Sequence, residues 1–194
     1  MLRARAVTTV VPPRRAISGT SLTYPVAMLM AEIGAACDGP AAAMGARIVN
    51  ALGIAAATSD FLPSELCAPR ADCYARRTIC SDPAGRFTVL ALVWGRGQFS
   101  PPHAHDAWCA YAVVENALTE TLYRFDAARN LAVPSDAVRR RPGYACFAGA
   151  GLEQIHRLGN AGDVPAISIH VYGVDGSRVG THVNRLMDVA GRER

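Results

Sequence analysis

The pattern of apolar residues divides the chain into a helical part and a longer β part. Residues 22 to about 57 are rich in alanine, leucine and methionine and show no strand-like alternation. A helix opening at Tyr24-Pro25 and a second helix over residues 41–52, separated by Gly39-Pro40, account for this composition. We therefore predict a small N-terminal helical layer, followed by a loop over residues 60–69.

From Tyr74 onward the pattern becomes that of short strands. Residues 86–94 form a β-branched and aromatic run that ends at Gly95 and Gly97. Further strands are predicted over residues 103–105, 110–114, 119–125, 144–147, 153–156 and 166–172, with breaks at 134–136, 142–143, 149–151 and 160–163. Many short strands at this spacing predict a mainly β fold, an antiparallel sandwich or barrel with its helices segregated to the N-terminus.

The length of 194 residues suits one domain with one hydrophobic core. We expect that domain to cover residues 22–194, with helices within 22–70, a β-barrel over about 74–183 and a short peripheral segment beyond Val183. Residues 1–21 carry arginines before a short apolar run, which Pro12, Pro13, Arg14 and Arg15 interrupt. We expect this segment to be a disordered tail rather than a signal peptide.

Composition narrows the classes of partner. Hydrophobic residues make up 51% and charged residues 19%, as in a globular protein, and the net charge is +4. No basic stripe is interleaved with aromatic residues, and no apolar run is long enough to cross a bilayer, so we expect neither nucleic-acid nor membrane binding. The 6 cysteines form no CxxC pair. We therefore expect reduced thiols in a cytoplasmic protein, while the sequence leaves open whether it is a monomer or a homodimer.

Candidate metal chemistry begins at His103 and His105. In a strand, residues i and i+2 share a face, so the two imidazoles aim at one point. That arrangement suits a first-row transition metal. Two such histidines are also common as exposed or hydrogen-bonded core residues, and the surrounding motifs decide between the two interpretations.

The spacing around this pair resembles the first motif of the cupin superfamily. In that motif a glycine, five residues and His-x-His are followed by an acid and a closing glycine. Here Gly97, His103 and His105 match, whereas Cys109 stands in place of the acid and Asn116 in place of the closing glycine. The second motif, His-x-x-x-Asn, is matched by residues 156–160. The resemblance implies a cupin double-stranded β-helix, also called a jelly-roll barrel, with the N-terminal helical layer added.

Within cupins, the chain resembles the cysteine dioxygenase type I family of thiol dioxygenases. The similar segments are residues 80–98, the His-x-His strand with Trp108, residues 155–157 and residues 167–173. The resemblance implies one mononuclear non-haem Fe(II) per chain, held by His103, His105 and His156, with O₂ as co-substrate. Three neutral histidines leave a divalent ion its full charge and open positions for an anionic thiolate.

The resemblance also implies catalytic roles for one strand and one cysteine. Ser168, His170 and Tyr172 alternate, share a face and are expected to form a hydrogen-bonded relay. Cys109 stands where some family members form a thioether crosslink to the active-site tyrosine, here Tyr172. The alternative for this residue is a free core cysteine.

The substrate prediction depends on a carboxylate partner. Arg76 falls where cysteine-using members carry arginine and mercaptopropionate-using relatives carry glutamine, and a guanidinium clamps a carboxylate through two hydrogen bonds. In a strand Arg77 points the other way. Weaker candidates are Trp108 and Arg178; the arginine that mercaptopropionate-type members use matches Thr181, and Arg178 is expected to compensate.

We therefore predict an Fe(II)-dependent thiol dioxygenase that oxidises L-cysteine, or a close cysteine-like thiol carboxylate, to a sulfinate. The alternatives are a 3-mercaptopropionate dioxygenase, a natural-product tailoring cupin that gives a different product from a cysteine-derived thiol, and a non-enzymatic ligand-binding cupin.

Overall fold

The computed structural model describes residues 23–59 and 61–191, so the tail predicted over residues 1–21 lies outside the described part. Two α-helices come first, α1 over Tyr24–Cys37 and α2 over Ala41–Ala57. The strands that follow are β1 Ala75–Ser81, β2 Thr88–Trp94, β3 His103–His105, β4 Cys109–Glu115, β5 Leu118–Asp126, β6 Leu131–Arg140, β7 Ala145–Ala148, β8 Gly151–Gly159, β9 Ala166–Tyr172 and β10 Asn184–Leu186.

The strands form two five-stranded sheets, and every pairing between these strands is antiparallel. One sheet has the order β1-β2-β9-β4-β7 and the other the order β10-β3-β8-β5-β6. The fold is thus mainly β, the double-stranded β-helix of a cupin with two N-terminal helices, which confirms the predicted class. None of the helices in the described part is long and apolar enough to cross a membrane.

The helices cover the outer face of the first sheet. Ile33 of α1 and Ile48 and Leu52 of α2 are fully buried in one cluster with Val89 and Ile169, which lie on that face. Because its other face lines the barrel interior, every residue of β2 and of β9 is buried. This explains why β2 reads as a continuous apolar run without alternation.

Several predicted boundaries are wrong, among them that of β8, which covers Gly151–Gly159 rather than residues 153–156. The break placed at residues 134–136 lies inside β6, which pairs with β5 along its whole length. β6 is an edge strand, and Pro134 sits beside a register shift, where a missing backbone N–H costs no ladder bond. The predicted second helix ends at residue 52, whereas α2 continues to Ala57.

The segment beyond Val183 is not merely peripheral. β10 pairs with β3 and so covers one side of the His-x-His strand, while β8 covers the other. At the turn between β4 and β5, Asn116 takes a positive φ of 55°, a conformation that asparagine tolerates better than most residues. The position where a closing glycine was expected therefore keeps the backbone shape that glycine would allow.

Candidate metal centre and its cavity

Three buried histidines meet inside the barrel. His103 and His105 project from β3, and His156 projects from β8, where it is the cross-strand partner of His103. One ring nitrogen from each lies within 4.8 Å of the others. The side chains come from two neighbouring strands of one sheet, so the sheet itself fixes their spacing.

Burial keeps His103 and His105 in the neutral form that binds metal. Desolvation lowers the pKa of His103 well below its ordinary value, and the neighbouring His156 adds to this effect. Desolvation, followed by His156, lowers the pKa of His105 to about 3. Neutral imidazoles offer a lone pair each, and a set of three nitrogen donors fits a divalent transition metal with positions left open for other ligands.

The second nitrogen of His103 is fixed by the backbone. Its Nδ1 lies 2.9 Å from the Pro101 carbonyl oxygen. A carbonyl only accepts, so Nδ1 carries the proton and Nε2 presents its lone pair. The Nδ1 of His105 has no partner among the described residues, and neither has the Oδ1 of Asn184, its cross-strand neighbour on β10. The His105 Nδ1–H can donate a hydrogen bond and the Asn184 Oδ1 can accept one, so the two groups are complementary.

The three histidines line one small cavity together with residues from both sheets. The other lining residues are Tyr74, Arg76, Leu92, Trp94, Ser100, Cys109, Leu158, His170, Tyr172 and Asn184. One guanidinium, one thiol and several hydroxyl groups therefore face the same space as the candidate metal ligands.

Ser168, His170 and Tyr172 form a connected chain of side chains along β9. The Ser168 Oγ lies 2.9 Å from His170 Nε2, and the Tyr172 hydroxyl lies 3.4 Å from His170 Nδ1. The indole Nε1 of Trp94, which sequence reasoning missed, donates to Ser168 Oγ at 2.9 Å.

The Trp94 indole determines which atom donates in each hydrogen bond of this series of side chains. Its N–H only donates, so Ser168 accepts there and, being fully buried, donates its own proton to His170 Nε2. Desolvation lowers the pKa of His170, which keeps the ring neutral with its single proton on Nδ1. That proton donates to the Tyr172 oxygen, and the Tyr172 O–H is left to donate into the cavity.

Arg76 faces the cavity, whereas Arg77 does not. The Nη2 of Arg76 lies 3.4 Å from the Val179 carbonyl, and its Nε is buried without a partner among the described residues. Its guanidinium lies 5.8 Å from the centre of the Tyr172 ring. Arg77 instead donates to the Leu66 carbonyl at 3.0 Å. A half-buried cation whose buried Nε is an unused donor, beside the candidate metal ligands, is suited to a small anion.

Cys109 lies directly opposite Tyr172 across the β4–β9 pair, and both line the cavity. Cross-strand neighbours have Cβ atoms about 4.5–5.5 Å apart. Burial raises the pKa of the Cys109 thiol well above its ordinary value, and burial followed by the charge of Cys109 raises the pKa of Tyr172. Both groups are therefore protonated in the absence of a metal.

The structure does not bring two predicted substrate residues to the cavity. Arg178 lies exposed in a short 3-10 helix over Gly176–Arg178. Trp108 packs on the outside of the sheet, with its ring 5.8 Å from that of Phe147. Since β4 begins at the next residue, Trp108 and Cys109 point to opposite faces. Trp108 also meets Gly173 closely, which marks a packing role.

Sequence reasoning missed several neighbours of the site. Tyr74 stacks on Trp94 with ring centres 4.4 Å apart, and Tyr111 stacks on His170 at 5.2 Å. Glu120 of β5 contacts His156 from the side away from the cluster. Of these residues, only Glu120 could have been identified from the sequence. It places a carboxylate between the inward-facing Leu118 and Leu122, which interrupts an apolar alternation.

One known protein family matches this chain over most of the β-barrel. The family model described as cysteine dioxygenase type I matches residues 70–179, which is more than half of the chain. That range contains the three clustered histidines, Arg76 and the whole of β9.

Solved structures with a similar chain path are distant in sequence. A protein from Klebsiella pneumoniae subsp. pneumoniae, described as having a double-stranded β-helix domain, is 17% identical, with a TM-score of 0.49 over 67% of this chain and 93% of that chain. The protein TT1209 from Thermus thermophilus is 19% identical, with a TM-score of 0.46 over 57% of this chain and 92% of that chain. A cupin superfamily protein from Desulfitobacterium hafniense is 13% identical, with a TM-score of 0.44 over 61% of this chain and 94% of that chain.

Proposed function

The chain belongs to the cysteine dioxygenase type I family, and on that basis we propose that it is an Fe(II)-dependent thiol dioxygenase. Its substrate is L-cysteine or a close cysteine-like thiol carboxylate, and its product is the sulfinate. The reaction adds both atoms of O₂ to sulfur, so a thiol and O₂ balance the sulfinic acid without an external reductant. The observation that carries this proposal is a three-histidine cluster that shares its cavity with the half-buried guanidinium of Arg76.

His103, His105 and His156 would hold the metal, and this is supported by one ring nitrogen of each lying within 4.8 Å of the others. When bound, Fe(II) would supply open coordination positions and would mediate electron transfer from a thiolate to O₂. Among the described residues no carboxylate belongs to the cluster, and Cys109 occupies the position where the motif has an acid. A substrate thiolate is then the anion that offsets the charge of the ion.

Arg76 would orient the substrate through its carboxylate. Its buried Nε has no partner among the residues that the structure describes, so a bound carboxylate supplies an acceptor that the folded protein lacks. A buried unsatisfied donor costs about 1–3 kcal/mol, and this cost is recovered when the substrate binds. Arginine at this position also favours L-cysteine over 3-mercaptopropionate, by resemblance to cysteine-using members.

The relay on β9 would hold a proton at the Tyr172 oxygen. Ser168 and Trp94 fix the His170 ring so that its Nδ1 proton points to Tyr172, and the phenol proton then points to the substrate space. Burial raises the pKa of Tyr172, so the phenol stays a donor rather than becoming an anion. Tyr172 therefore positions substrate oxygen or sulfur by donating a hydrogen bond.

All six cysteines are free thiols in the structure. A protein that keeps six reduced thiols fits a reducing compartment, and we propose a cytoplasmic location on this ground.

The activity is tested by loading the purified protein with Fe(II) under anaerobic conditions and measuring O₂ uptake with L-cysteine, 3-mercaptopropionate and cysteamine. We expect uptake with L-cysteine and a sulfinate that carries two labelled oxygen atoms when ¹⁸O₂ is used. Faster turnover of 3-mercaptopropionate would overturn the substrate assignment. An absence of uptake with every thiol would overturn the enzymatic proposal in favour of a ligand-binding cupin.

Formation of a thioether between Cys109 and Tyr172 is a separate prediction. Repeated turnover with thiol and O₂ should remove one hydrogen from Cys109 and one from the Tyr172 ring, with O₂ as the electron acceptor. Intact mass and peptide mapping should show a loss of two hydrogen atoms that joins the two peptides. Cys109→Ser should lack this species, and Cys146→Ser should retain it. An unchanged mass after many turnovers would leave Cys109 as a free core thiol.

A further inference from the structure

The three clustered histidines differ in the hydrogen-bond partner of Nδ1, the ring nitrogen that we assign to the side away from the cluster. His103 has a neutral backbone carbonyl at 2.9 Å, and the Nδ1 of His105 has no partner in the described part of the chain. His156 alone has an anionic partner, with Nδ1 2.6 Å from the Glu120 carboxylate oxygen Oε1. A hydrogen bond to an anion makes an imidazole a stronger electron donor than one to a carbonyl.

Glu120 lies inside the barrel. It is 4% exposed and lies on the inward face of β5, two residues before Leu122, the cross-strand partner of His156. Since a carboxylate only accepts, the His156 proton sits on Nδ1 and the Nε2 lone pair faces the cluster. The carboxylate therefore fixes both the tautomer and the orientation of one ligand.

Arg140 of β6 holds the other oxygen of this carboxylate. Its Nε lies 2.7 Å from Glu120 Oε2, and its guanidinium lies 4.2 Å from the centre of the Tyr144 ring. The side chain of Arg140 is 19% exposed, so this ion pair links the cluster to the barrel surface. The positive charge of Arg140 partly neutralises the Glu120 carboxylate, so Arg140 weakens the effect of Glu120 on the His156 ring.

We propose that Glu120 is a positioning residue that raises the metal affinity and lowers the Fe(III)/Fe(II) potential of the three-histidine centre through His156, and that Arg140 opposes both effects. The cluster lacks a carboxylate ligand, and Glu120 supplies one negative charge at the distance of a single imidazole. The identity of the metal as iron rests on the function proposed above, whereas the effect of Glu120 on affinity applies to any divalent metal at these ligands.

The test uses Glu120→Gln, which keeps a carbonyl acceptor for Nδ1–H but removes the charge. Co(II) affinity, measured by competition with a chelator, should fall by about 10- to 100-fold, the usual cost of losing an outer partner of a metal-bound histidine. The potential of the Fe-loaded protein without thiol should rise. A tenfold greater loss of Fe(III) than of Fe(II) affinity corresponds to about 59 mV.

Arg140→Gln is the opposing variant, and it should raise Co(II) affinity and lower the potential. Arg139→Gln makes the same change of net charge on the neighbouring exposed residue and should alter neither quantity. Wild-type affinity and potential in a folded Glu120→Gln protein would overturn the proposal. Shifts of the same sign in the Glu120 and Arg140 variants would also overturn it, since they would indicate loss of packing alone.

The metal affinity and the reduction potential are measured independently of thiol oxidation. Both quantities are measured without a thiol, so a wild-type protein that fails to oxidise any thiol would overturn the proposed function and leave the role of Glu120 standing. A circular dichroism melt of each variant confirms that the barrel is folded before metal is added.

Discussion

His105→Ala is expected to abolish stable binding of a divalent metal. The proposed site takes three nitrogen ligands from the protein, and removing one leaves two to compete with a chelator for the ion. We expect an affinity loss well beyond the roughly 10- to 100-fold that follows loss of an outer partner. Metal content after anaerobic Fe(II) loading and desalting, together with chelator competition, measures the effect.

Among the three clustered histidines, His105 gives the clearest variant because its Nδ1 has no partner among the described residues. His156→Ala should also abolish loading, but it leaves Glu120 buried with Arg140 as its remaining partner, so its stability should fall as well. His182→Ala, at an exposed histidine outside the cluster, is the matched control and should load normally. Wild-type iron content in His105→Ala or His156→Ala would contradict the ligand assignment.

The second large effect is expected at Arg76. Arg76→Gln should lower kcat/KM for L-cysteine by about 10- to 100-fold, mainly through KM, because a hydrogen bond to a charged group contributes about 1.5–3 kcal/mol. Turnover of cysteamine, which has no carboxylate, should be unaffected. Steady-state O₂ uptake with both thiols measures the difference.

Arg77→Gln is the matched control for this prediction, since Arg77 contacts Leu66 on the opposite face of β1. It should leave both substrates unchanged. The KM for L-cysteine in Arg76→Gln should also rise more than that for 3-mercaptopropionate, as the resemblance to glutamine-bearing relatives implies. Equal losses for L-cysteine and cysteamine would place the carboxylate site elsewhere.

The parts of the site that sequence predicts are those that follow a local rule. Strand alternation puts His103 beside His105 and aligns Ser168, His170 and Tyr172, and the same rule separates Arg76 from Arg77. The structure brings all of these except Ser168 and Arg77 to the cavity lining. Ser168 instead lies behind His170, as the far end of a relay requires.

What sequence does not predict depends on pairing between distant strands. Glu120 meets His156 only because β5 pairs with β8, and Arg140 reaches Glu120 only because β6 pairs with β5. Trp108 lies away from the cavity because its side chain points to the opposite face of the sheet from Cys109, which its place in the sequence alone does not reveal. Arg178 lies away from the cavity because the segment after β9 turns into a short exposed helix.

The position of β10 has a consequence for how the protein is made. All three clustered histidines have been synthesised once the chain reaches β8, yet one edge of β3 stays unpaired until β10 follows. An unpaired strand edge is open to wrong partners. During synthesis on the ribosome, the three candidate ligands are thus present before their supporting sheet is complete, and correct metal uptake is expected to follow docking of the last strand rather than precede it.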